Sequence, residues 1–169
     1  PGIYFINAIF ISIFGSSLNT ARIGVFFVNF LTAAIIFWIT KRVWNSFAGF
    51  WATLFYLFTL TVYEGHYILT EPFLAFFLVL GILFFILDLK NPRSIWPVLA
   101  GFSIGLAVIF KQTALSNFLI MGVAFYFSSA LTRRGIANFS LRGRLKSAFP
   151  YNKKIIFYIL GGILPIFLT

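Results

Sequence analysis

Uncharged apolar runs alternate along this chain with short charged or polar clusters, and the lengths of the runs set the expected elements. About 20 mostly apolar residues, each rising about 1.5 Å in a helix, cross a bilayer core of about 30 Å. Crossing helices are therefore expected over about 22–40, 43–62, 71–88, 94–111, 113–131 and 155–169. The first stops at Lys41-Arg42, the second at Tyr63-Glu64-Gly65-His66, and the third at Asp88-Leu89-Lys90-Asn91-Pro92-Arg93. Between Ser94 and Leu131 the only charge is Lys111. As one helix that stretch would be about 57 Å long, so the chain is expected to fold back near Lys111-Gln112. The pattern predicts an all-α, polytopic transmembrane helical bundle, a single membrane domain over 1–169 with a basic loop at 132–154.

The N-terminal stretch PGIYFINAIFISIFG is too short for a comfortable crossing, and it is expected to form an interfacial or juxtamembrane helix over 1–15. It lacks the basic segment and small-residue cleavage site of a signal peptide. With no initiator Met and an apolar run that stops at Thr169, the chain is expected to be a fragment of a longer membrane protein.

Composition strengthens this reading. Hydrophobic residues make up 61% of the 169 and charged residues only 9%, against about 25% charged in an ordinary soluble domain. The 25 Phe read as lipid-facing filler. The absence of Cys excludes disulfides, zinc-thiolate sites and thiol nucleophiles. A net charge of +10 would suggest nucleic acid in a soluble protein. If successive spans alternate, however, 11 of the 13 Lys and Arg fall on one side, which the positive-inside rule assigns to the cytoplasm. The loop TRRGIANFSLRGRLKSAFPYNKK then faces anionic membrane lipid, and no nucleic-acid partner is expected.

The opposite face holds few ionisable groups: Arg22, Glu64, His66, Glu71 and Lys111. Such groups at membrane depth usually face a bundle interior or a wet cavity and are functional candidates. Glu71 lies in LTEPF, where Thr70 or Glu71 can cap a helix and Pro72 suits its first turn; cap and cavity carboxylate are both open. Glu64 and His66, two apart in YEGHY, are either solvated turn residues or neighbours of an acceptor or metal. They under-supply a zinc site, which needs at least three protein ligands, so a divalent metal cofactor is neither required nor excluded. Lys111 either snorkels to the interface or contacts an anion. Arg22 either anchors its helix or offers its planar fork to a phosphate. Gly101 and Gly105, at GxxxG spacing, suit close helix packing.

The order of these pieces resembles a known family. Pro-Gly-Ile-Tyr-Phe, then SLNTARIGVFFVNFLTAAIIFWITKRVWN, then TEPFLAFFLVLGILFF, then AGFSIGLAVIFKQTAL is similar to the membrane core of GT-C glycosyltransferases. The similar branch is the family 39/83 group of protein O-mannosyltransferases and the aminoarabinose transferase of lipid A, and the resemblance covers essentially the whole chain. It implies a membrane hexosyl or pentosyl transferase that moves a sugar from a polyprenyl-phosphate donor to a lipid, glycan or protein acceptor. It further implies an active face outside the cytoplasm, at the plasma or inner membrane of a prokaryote. Pro1 to Tyr4 resembles the family's Pro-Pro-Leu-Tyr segment, with Gly2 where a second Pro is usual. Arg22 matches the Arg that opens the second family helix. Glu71 matches the acid of the Thr-Asp/Glu-Pro segment lining the cavity, and Lys111 matches the Lys contacting the donor phosphate. The family's principal catalytic acid lies in the first extracytoplasmic loop, which this chain is expected to lack. A secondary transporter or channel segment would use the same sparse charges but tends to place them near the midplane in repeated halves. A non-catalytic membrane scaffold subunit would not need them clustered.

Overall fold

The computed structural model describes residues 2–15, 18–62, 70–91, 93–134 and 151–167. Among them the chain is all-helical: α1 (Gly2–Phe14), α2 (Leu18–Val43), α3 (Ser46–Val62), α4 (Glu71–Lys90), α5 (Ile95–Phe110), α6 (Ala114–Arg134) and α7 (Tyr151–Phe167). Two segments, Arg22–Val43 and Glu71–Lys90, are long and apolar enough to cross a membrane. Ser46–Val62, Ile95–Phe110 and Ala114–Ser128 are apolar but shorter.

Local chemistry explains the breaks. Gly15 closes α1 with φ +82°, a left-handed conformation that costs glycine little, and its N–H bonds the Ile11 carbonyl. The α2 helix continues through Lys41-Arg42 to Val43, because a charged last turn complements the carbonyl end of a helix. Asn45 then caps α3, its side-chain oxygen accepting the Ala48 N–H at 2.8 Å. At the other end of the bundle Lys111 has extended backbone (φ −152°, ψ 123°), which ends α5, and Gln112 and Thr113 carry the chain into α6.

Small residues line the closest helix contacts, and many large apolar residues face outward. Gly81, Ala100, Gly101, Ser103, Gly105 and Ala107 are buried on α4 and α5, while Phe30, Phe47, Phe55, Phe58 and Ile120 are exposed. This is the arrangement expected where lipid, not water, is the solvent and close backbone approach supplies the packing. The tightest approach joins α5 to α7. A methyl group added at Gly101, Gly105 or Gly161 would strike the backbone carbonyl of Tyr158, Gly162 or Val98. Beside it Ala100, Ile104, Phe125 and Tyr158 form one core, and the Tyr158 hydroxyl donates to the Phe118 carbonyl at 2.8 Å. The α2–α3 pair is joined through polar groups as well: the Tyr56 hydroxyl bonds the Asn29 side-chain oxygen at 3.2 Å, and Thr53 Oγ1 lies 3.5 Å from the Ala33 carbonyl.

Candidate functional site

A second apolar cluster positions the candidate residues. Val25 and Val28 of α2, Phe73 and Phe76 of α4, and Phe110 of α5 pack together, with the Phe73 and Phe110 rings stacked at 5.6 Å. Arg22 lies one turn before Val25, Glu71 two residues before Phe73, and Lys111 directly after Phe110. The antiparallel course of α4 and α5 thus delivers an acid and a base from distant sequence positions to one end of the bundle.

There they meet. Lys111 Nζ lies 2.7 Å from Glu71 Oε1, a charge-assisted hydrogen bond. Thr70 occupies the N-cap position of α4, but its hydroxyl makes no capping bond and lies 3.3 Å from Glu71 Oε2. The Glu71 carboxylate is thus engaged by a lysine and a hydroxyl at the start of α4. Pro72 follows in the first turn, where its missing N–H is harmless. The Lys111 and Glu71 side chains are 44% and 51% exposed. A pair so open adds about 0–1 kcal/mol to stability, so both groups are accessible to a ligand at little cost to the fold. Arg22 is exposed at the same end and makes no ion pair among the described residues.

Glu64 and His66 lie outside the described residues, as does Pro1, so no geometry connects them to the pair. Among the described residues no group of three or more His, Asp or Glu is gathered as a metal site would require. A depression of about 460 Å³, lined by Trp51, Leu54, Phe55, Leu57, Phe58 and Thr61, follows the outward side of α3 and includes neither Glu71 nor Lys111. It has no charged lining.

A second ion pair, not expected from the sequence, lies at the opposite end. Lys154 Nζ of α7 lies 2.6 Å from Asp88 Oδ2 of α4. The Asp88 side chain is 0% exposed, and its Oδ1 has no hydrogen-bond partner among the described residues. One signal was available: Asp88 is the lone acid among clustered bases, and such an acid in an apolar helix needs a cation. With Lys90 Nζ 3.4 Å from the Arg42 carbonyl, this pair gathers Arg42, Lys90 and Lys154 at one end of the bundle, away from Glu71 and Lys111.

The family model of dolichyl-phosphate-mannose-protein mannosyltransferases matches residues 1–148. Undecaprenyl phosphate-alpha-4-amino-4-deoxy-L-arabinose arabinosyl transferases of Yersinia pestis and Yersinia pseudotuberculosis are each 34% identical over 89 residues, covering 52% of this chain and 16% of the relative. The matched stretch is thus a small part of those relatives' length. No solved structure matches.

Proposed function

We propose a function from one premise: the chain belongs to the dolichyl-phosphate-mannose-protein mannosyltransferase family. On this reading it is part of a GT-C integral-membrane glycosyltransferase that moves a sugar from a polyprenyl-phosphate donor to a lipid, glycan or protein acceptor. The observation that carries the reading is the Glu71–Lys111 pair at 2.7 Å, held at the same end of the bundle as Arg22. The relatives' name supplies the donor class, an undecaprenyl phosphate sugar.

The chemistry fits those groups. The acceptor's nucleophile attacks the anomeric carbon as the bond to the phosphate oxygen breaks, and the acceptor's proton passes to a carboxylate. Negative charge builds on the departing phosphate, and a fixed cation stabilises it more in the transition state than in the bound donor. Lys111 holds that phosphate and Arg22 assists. Glu71 orients Lys111 and shapes the acceptor side of the cavity, and Glu64 and His66 belong to the same face. Because the basic end lies in the cytoplasm by the positive-inside rule, this site opens on the extracytoplasmic side of a multi-pass bundle. A polyprenyl chain lying in the bilayer brings its phosphate to that depth.

The test uses the full-length enzyme at limiting donor. Lys111→Met is expected to lower transfer about a hundredfold, the usual loss when one preorganised charge partner is removed. Lys111→Arg is expected to keep a larger share. Undiminished transfer by Lys111→Met would remove the phosphate role.

A further inference from the structure

The geometry points to a headgroup site for an anionic phospholipid at the basic end, built from Trp38, Lys41 and Arg42 of α2 and Lys90 of α4. The Arg42 guanidinium stacks over the Trp38 ring at 4.1 Å, and the Lys41 ammonium lies 5.8 Å from the centre of Phe37. Stacking on a ring face holds the guanidinium while leaving its N–H edge free to bond. Lys90 comes from a different helix and spends one of its three N–H donors on the Arg42 carbonyl at 3.4 Å. The Lys90 ammonium of a second helix thus sits at the C-terminal end of α2, beside the segment that carries Lys41 and Arg42.

No acid answers them there. Among the described residues Asp88 is the acid of this end, and it is buried and bound to Lys154. The exposed charges of Lys41, Arg42 and Lys90 are thus not compensated by an acid among the described residues, and a positively charged corner of this kind attracts an anion. Trp44, 75% exposed just past α2, adds the aromatic group that settles at the headgroup level of a bilayer. A phosphodiester headgroup matches this corner in charge and hydrogen bonding, and its acyl chains would run against the exposed Phe and Ile of the bundle. The site is distinct from the Glu71–Lys111 end and does not depend on the sugar-transfer reading.

Purified full-length protein titrated with phosphatidylglycerol in mild detergent, with bound lipids counted by native mass spectrometry, tests the proposal. Arg42→Gln and Lys90→Gln should each weaken phosphatidylglycerol about fivefold, and the double variant about thirtyfold, the scale of one surface cation per anionic headgroup. Phosphatidylcholine of the same chain length should bind weakly to all variants. Lys153→Gln, which removes an exposed charge at the same end but outside this corner, should leave binding unchanged. Arg42→Lys and Lys90→Arg, which keep the charge, should bind close to the parent. Equal losses from Lys153→Gln would show diffuse attraction and overturn the site. Unchanged binding by the double variant, or phosphatidylcholine held as tightly as phosphatidylglycerol, would overturn it too.

Discussion

Removing either partner of the Asp88–Lys154 pair should destabilise the protein unequally. The Asp88 side chain is 0% exposed and its second oxygen has no partner among the described residues, whereas Lys154 is 27% exposed on the first turn of α7. Lys154→Met leaves a buried carboxylate with no cation, and breaking a buried pair in this way costs about 3–5 kcal/mol. Asp88→Asn leaves a lysine that can extend its ammonium to water or headgroups, so its cost is the lost bond alone, about 1–2 kcal/mol. The double variant Asp88→Leu, Lys154→Met removes both charges and fills the space with apolar atoms, and it should fall within about 1 kcal/mol of the parent. Unfolding in mixed micelles by titration with a denaturing detergent, followed by tryptophan fluorescence, ranks the variants. The reasoning fails if Asp88→Asn is as damaging as Lys154→Met, or if the double variant is no better than the worse single one.

Two further outcomes follow from the packing and from the exposed pair. Gly101→Ala should destabilise by about 3 kcal/mol or more, since its methyl group meets the Tyr158 backbone, whereas Gly122→Ala, whose nearest neighbour is a Tyr158 ring atom at 3.4 Å, should be nearly neutral; thermal unfolding midpoints compare them. Glu71→Gln should change stability by less than about 1 kcal/mol, because its partner is half-exposed, while lowering transfer by the full-length enzyme; a kinetic assay beside a melting curve separates the two effects.

Much of this arrangement is legible in the sequence because the bilayer imposes strict lengths. The lone Lys111 in an over-long apolar run announces a fold-back, and the helix does end there, with Lys111 in extended backbone. Thr70-Glu71-Pro72 announces a helix start, and α4 begins at Glu71. What spacing alone does not give is pairing. Glu71 and Lys111 are 40 positions apart and Asp88 and Lys154 are 66 apart, and only the packing of α4 and α7 on α5 brings each pair together. The Asp88 pairing is also hidden by exposure: a charge at the end of an apolar run reads as solvated, yet α7 covers this one. The role of Gly101 and Gly105 is suggested by their spacing, while their partners, the backbone at Tyr158 and Gly162, depend on which helix arrives.

The distance along the chain between Asp88 and Lys154 also has a temporal side. At about 5–20 residues per second, the ribosome adds the 66 positions that separate them in about 3–13 s. For that interval α4 has emerged with a carboxylate that awaits its cation, and α5 with a glycine face that awaits α7. Closure of this part of the bundle therefore waits for α7, and the carboxylate of α4 and the glycine face of α5 must be sheltered until that helix is made.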